Sequence, residues 1–364
     1  LIDRFQQSMN ASVTAVHRAN NFDALRLFAA LLVIWGHQFA IMGRPVPLIL
    51  GGNEPGAVGV VMFFAISGYL VTLSWLADPH LLRFAARRAL RIWPALCVVV
   101  LLCILVLGPL VTTLPQAAYW KSAGTWDYLS NIWLKTRYAL PGVFDGNPVA
   151  SSVNGPLWTI PLEVTCYAIL AALGVCGITR TRWSGPAIFL ILLGYLQWHY
   201  MDRPGRPMPE WSPLLQYGIM FALGAALACL QAFWSSHRLI AAAVLIVALT
   251  LTRHYGPSVI SGQAWLLMAA GLSVILGSAC APVLHRVGHF GDFSYGMYIY
   301  AFPVQQLVVW SFANRLGFTA AISLTVFCTL VLAALSWHWV EKPALSFKPR
   351  RRAAPSSSSD LATA

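Results

Sequence analysis

Ten long apolar stretches run through this chain, separated by short polar segments. They fall at 24–42, 56–76, 92–111, 156–175, 186–201, 212–233, 239–254, 262–281, 293–312 and 319–339. Each is close to the roughly 17–25 helical residues that cross a bilayer. The pattern breaks only at 112–155, a mixed segment with Trp120, Trp126 and Trp133 spaced through it. A partly inserted helix beneath an extramembrane loop is expected there. The predicted fold class is all-α: a polytopic membrane helical bundle of about ten transmembrane helices.

Composition agrees. Hydrophobic residues make up 58% of the chain and charged residues only 10%, against about 25% charged in soluble domains. Basic residues predict the orientation. With the N-terminus inside, the cytoplasmic segments hold fifteen of the 24 Lys and Arg and the opposite loops eight, Arg26 being the last. This bias predicts both termini in the cytoplasm. The net charge of +12 is therefore spread along membrane edges, which argues against nucleic-acid binding. The expected organisation is a cytoplasmic segment over 1–23, a membrane domain over 24–343 and a disordered basic, Ser-rich tail over 344–364. The first span lacks a small-residue cleavage site and reads as a retained helix, not a signal peptide. The seven cysteines lie in or beside apolar spans without ligand spacing. They read as core residues, and no metal is expected.

Few polar residues interrupt the spans, and each invites a reading. Arg26 and His37 sit eleven residues apart in the first span, so they lie roughly 16 Å apart along one helix and share a face. Intramembrane ionisable groups are costly and usually functional. Ser67-Gly68 in the second span marks either close helix packing or a place where a ligand meets the backbone. Arg88 and Arg91 follow that span at helical spacing, either as a topology signal or as a phosphate site suited to planar guanidiniums. Glu163 is the one carboxylate expected well inside a span. It either pairs with an arginine of another span or orients His37 and moves a proton. Tyr295, with Ser294 and nearby tyrosines, lines a polar pathway or belongs to an aromatic belt. Glu341 is expected to pair with an arginine at the cytoplasmic face.

In order, these segments resemble the acyltransferase-3 family of integral membrane acyltransferases. The matching elements are Arg26…His37, Gly59-Val-Val-Met-Phe-Phe-Ala-Ile-Ser-Gly68, Arg88…Arg91, Pro156-Leu-Trp158…Glu163…Tyr167, Phe293-Ser-Tyr295…Tyr298 and Glu341-Lys-Pro343. Many relatives carry a histidine two residues before the ninth-span proline. Here that position is Ala301, which strengthens the case for His37 as the sole catalytic imidazole. Some relatives also carry a fused hydrolase-like domain, which this chain does not show.

The resemblance implies a multi-pass protein of the bacterial inner membrane that moves an acyl group, most often acetyl, from a cytoplasmic thioester to a glycan hydroxyl. Acetyl-CoA is the implied co-substrate, its phosphates held by Arg88, Arg91 and Arg26. His37 is the implied base or transient acyl carrier, Glu163 its partner, and Ser67 or Trp158 the carbonyl donor. The implied acceptor is an exopolysaccharide or O-antigen sugar, free or as a lipid-linked oligosaccharide, with membrane lipid and polysaccharide assembly proteins as partners. Two other classes remain at this stage: a secondary transporter, which should show internal repeats, and a non-catalytic subunit of a polysaccharide export machine.

Overall fold

The structure, a computed structural model, describes residues 20–201, 212–256, 258–281, 283–284, 291–312 and 315–349. Among these residues the chain is helical and contains no strand, only a single bridge between Ile49 and Asn53. The long helices are α1 (Phe22–Ile41), α2 (Pro55–Ala77), α3 (Leu81–Val111), α4 (Thr159–Val175), α5 (Ser184–Met201), α6 (Ser212–Cys229), α7 (Arg238–Tyr255), α8 (Ser258–Gly277), α9 (Ser294–Phe312) and α10 (Phe318–Ser346). Eight of them, all but α5 and α9, are long and apolar enough to cross a membrane. Helices are the natural solution here, because hydrocarbon leaves no water to satisfy backbone groups.

At the centre stands α2, packed between α1, α6 and α8. Its crossing with α6 depends on two glycines. A Cβ on Gly68 would collide with the Phe221 carbonyl, and one on Gly224 with the Ala65 carbonyl. Small residues let helix backbones meet in this way where lipid removes the hydrophobic drive to associate. The packing reading of Gly68 therefore describes its role. At the rim, α7 buries only Ala242 among its own residues and packs on α8.

Two helices exceed their sequence-based limits. α3 begins at Leu81, well before the expected 92, so the arginine run is helical. Hydropathy misses this because Arg interrupts the apolar run, yet Arg, Ala and Leu are all strong helix formers. Pro94 sits inside α3, and a π turn over Cys103–Leu107 follows it. α10 continues through a second π turn, Trp337–Glu341, to Ser346. The segment between α3 and α4 holds no long helix. It forms short turns at Gln116–Lys121, Ala123–Asp127 and Tyr128–Trp133, tied to α3 by the Trp93 indole donating to the Ile132 carbonyl at 3.1 Å.

The start of α1, the end of α8, the start of α9 and the end of α10 meet on one face. The Asn21 backbone N–H donates to the Gly277 carbonyl at 2.9 Å. Arg26 reaches Asp292, and Arg91 reaches Glu341. This basic face opens into the principal cavity. Of the expected N-terminal segment 1–23 and tail 344–364, residues 1–19 and 350–364 lie outside the described residues.

Candidate active site

A cavity of about 650 Å³ runs inward from the basic face between α1, α2, α3, α4 and α9. That size lies within the roughly 300–1,000 Å³ of small-molecule sites. Its walls change character with depth.

The mouth is a lattice of arginines and carboxylates. Arg91 bonds Asp292 at 2.6 Å and Glu341 at 3.4 Å, and lies 5.4 Å from the Tyr295 ring centre. The Tyr295 hydroxyl donates to the Ile92 carbonyl at 2.9 Å. Arg26 meets Asp292 at 3.4 Å and Asp23 at 3.8 Å. Arg87 bonds Asp78 at 2.7 Å, and Arg83 joins the same carboxylate. Hydrogen bonding from Arg83, reinforced by Arg87, holds the Asp78 carboxyl at about 2 against the opposing effect of burial. Burial pushes the Asp292 carboxyl upward, but Arg91, Arg26 and the Ser294 hydroxyl together outweigh it and keep it below the usual range. Arg88 differs from its neighbours. It has no carboxylate partner among the described residues, its Nε is buried and unpaired, and its guanidinium lies about 6 Å from the Phe84 and Tyr167 rings.

Deeper, Ser67, Glu163 and Tyr167 form one cluster. The Ser67 hydroxyl donates to Glu163 Oε1 at 2.9 Å and lies 2.8 Å from the Tyr167 hydroxyl. Tyr167 donates to the same carboxylate oxygen. Both hydroxyls converge on Oε1. Oε2 receives no hydrogen bond from a described residue. Glu163 therefore forms neither the arginine pair nor the His37 contact that its sequence context suggests.

The inner end is closed by Tyr298, whose hydroxyl lies 2.8 Å from that of Thr159, and by Phe63, edge-on to Tyr298 at 5.4 Å. His37 lies beyond this closure, outside the cavity lining. It is half-buried and edge-on to Phe302 at 5.3 Å. No described residue hydrogen-bonds its ring, so both nitrogens remain available. Trp158 is half-buried and also stands outside the cavity, edge-on to Tyr217 at 5.4 Å. Its indole N–H meets no acceptor among the described residues.

The structure thus gathers Arg26, Ser67, Arg88, Arg91, Glu163 and Tyr295 around one cavity and sets His37 and Trp158 apart from it. Asp292, the hub joining Arg26 to Arg91, is not among the residues singled out from the sequence. Its signal was a carboxylate immediately before an apolar span, in a chain with only 12 acidic residues.

Comparison with known proteins agrees with this arrangement. Residues 20–338 match the acyltransferase-3 family model, an acyltransferase domain. An O-acetyl transferase of Shigella phage Sf6 is 30% identical over 334 residues, covering 90% of this chain and 96% of that protein. Nodulation protein 10 of Rhizobium leguminosarum bv. viciae is 28% identical, covering 91% of this chain and 94% of its own. Acyltransferase MdmB of Streptomyces mycarofaciens is 23% identical over 93% of this chain and 94% of its own. No solved structure matches the chain. A family match across most of its length, on an apolar helical bundle with a charged inner cavity, shows that the chain belongs to the acyltransferase-3 family and is a membrane O-acyltransferase.

Proposed function

We propose that this O-acyltransferase takes acetyl from acetyl-CoA at the cytoplasmic face and delivers it to a hydroxyl of a bacterial exopolysaccharide or O-antigen sugar. The observation that carries this reading is the arginine-lined cavity at the basic face, whose wall includes Arg26 of the helix that also bears His37. A phosphate-bearing donor fits it. The buried, unpaired Arg88 Nε calls for an anion, and guanidiniums bind phosphate oxygens in pairs. The rise from Arg26 to His37, roughly 16 Å along α1, is of the order of a pantetheine arm. Acetyl-CoA supplies a thioester whose carbonyl is open to attack by an activated hydroxyl.

The chain's residues divide the remaining work. Arg88, Arg91 and Arg26 hold the donor's anionic end. Asp292 and Glu341 orient two of these guanidiniums without cancelling Arg88. Glu163 fixes the Ser67 and Tyr167 hydroxyls against the cavity wall, where the donor's arm must pass. Tyr298, Thr159 and Phe63 line the cavity, and their side chains must shift for the thioester to meet a hydroxyl held at His37. His37 removes the proton from the acceptor hydroxyl as general base, and the proton goes to the coenzyme A thiolate that leaves as the C–O ester bond forms and the thioester C–S bond breaks. To the Trp158 N–H, which meets no acceptor among the described residues, this reading assigns donation to the carbonyl oxygen as charge develops. An acceptor entering from the opposite, periplasmic side meets His37 without crossing the charged mouth. The Sf6 protein's name, O-acetyl transferase, supports acetyl as the group moved.

Mass spectrometry of the host's surface polysaccharide tests the reading. A deletion strain should lack one acetyl group per modified repeat unit. Wild-type protein should restore it, and His37→Ala at equal expression should not. An unchanged polysaccharide in the deletion strain would point to another acceptor.

A further inference from the structure

Two cations at the mouth stand outside the ion-pair lattice. Asp23, Asp78, Asp292 and Glu341 pair with Arg26, Arg83, Arg87 and Arg91. Arg88 and Lys348 have no carboxylate partner among the described residues. Lys348 lies just past the end of α10, on the cavity wall beside Pro349. Its charged neighbours are Arg87, Arg88 and Arg91 from α3 and Asp292 before α9. Lys348 is exposed at the cavity rim, where partial desolvation, then the nearby charges of Arg88 and Arg91, lowers its ammonium to about 8. An ammonium held among guanidiniums and left unpaired is electrostatically unfavourable until an anion joins it.

The charge count narrows the anion. A phosphate monoester carries about −1.5 to −2 at pH 7 and offers three acceptor oxygens, which suits two unpaired cations that line one cavity from different elements. Each phosphate of a diphosphate diester carries only a single charge, a poorer match for two unpaired cations. His37 is not part of this cavity wall, so the end of a donor remote from its thioester would lie at the charged mouth. We infer that Lys348 and Arg88 form a subsite for the terminal phosphate monoester of the donor, which in a coenzyme A thioester is the 3′-phosphate. This rests on the donor reading above. It adds a residue from the segment after the last helix, and with it a specificity for the 3′-phosphorylated donor.

The test is calorimetric titration of the purified full-length protein in lipid nanodiscs with coenzyme A and with 3′-dephospho-coenzyme A. Wild type should prefer coenzyme A by about tenfold or more, since charge-assisted bonds to phosphate are the strong ones. Lys348→Met should lose most of that preference while binding the dephosphorylated form as wild type does, which also shows that the site is intact. Lys348→Arg should keep the preference. An unchanged preference in Lys348→Met overturns the subsite while leaving the donor reading standing. Equal weakening of both ligands in that variant moves Lys348 to the diphosphate and also overturns it. Failure of wild type to bind either ligand overturns the donor reading together with the subsite.

Discussion

The two ends of α1 work in opposite electrostatic regimes. Around Arg26 almost every charge is paired: Asp23, Asp292 and Glu341 lie in one lattice with Arg26 and Arg91. Around His37 the neighbours are aromatic or amide. Phe302 faces the imidazole. The adjacent Gln38 is fully buried and accepts from Gln305, whose amide also donates to the Ile34 carbonyl. A site for a polyanion needs fixed cations held in place by carboxylates, with one or two left over for the ligand. A site that activates a neutral hydroxyl needs an unpaired base in a dry setting. On the proposed reading one helix supplies both, and the acyl group must pass from the cavity lined by Arg26 to His37, which stands outside its lining.

The largest expected effect comes from breaking the charged end. Arg91→Ala would leave Asp292 and the nearly inaccessible Glu341 carboxylate without their main partner. Removing one member of a buried pair typically costs about 3–5 kcal/mol, so this variant should lose most of its folded yield and melt far earlier in detergent. Glu163→Gln keeps the shape of the Ser67–Tyr167 cluster but removes its charge. Acetyl transfer should fall by about 10²-fold, the scale of losing one group that organises charge in a site, while melting changes little. Turnover assays beside melting curves separate the two. Gly68→Ala drives a methyl into the Phe221 carbonyl. Overpacking of this kind costs about 1–3 kcal/mol, and Gly224→Ala should match it from the facing helix, both read as lower melting temperatures.

The smallest effect is a pH dependence at the mouth. Lys348 is charged below about 8 and neutral above it. Its charged neighbours are Arg87, Arg88, Arg91 and Asp292. kcat/KM for the donor should therefore be full near neutrality and decline as pH rises through about 8, since this ratio reports the free enzyme. Lys348→Met should start lower and lose that alkaline limb.

Much of this arrangement is legible in the chain. The ten apolar runs correspond to ten long helices, because uninterrupted apolar length is what a bilayer demands. Arg26 and His37 share a helix because eleven residues are about three turns. The start of α3 is hidden because hydropathy reads arginines as a break, whereas on the helix they turn into a cavity and find carboxylates. The partner of Glu163 is hidden for another reason. Ser67 lies 96 residues away in sequence, and their meeting depends on how α2 and α4 pack, which no local pattern encodes. Lys348 falls where composition suggests a disordered tail, yet α10 runs to Ser346 and carries the chain back against the cavity.

The central claim is that donor capture and proton removal reside at different ends of α1. Its most direct test measures coenzyme A affinity and acetyl transfer in parallel for His37→Ala and Arg88→Gln. The account predicts that His37→Ala binds coenzyme A like wild type but transfers about 10²–10⁴-fold less acetyl, and that Arg88→Gln loses coenzyme A affinity first. Full transfer by His37→Ala, or a loss of coenzyme A affinity in it as large as in Arg88→Gln, would contradict the division.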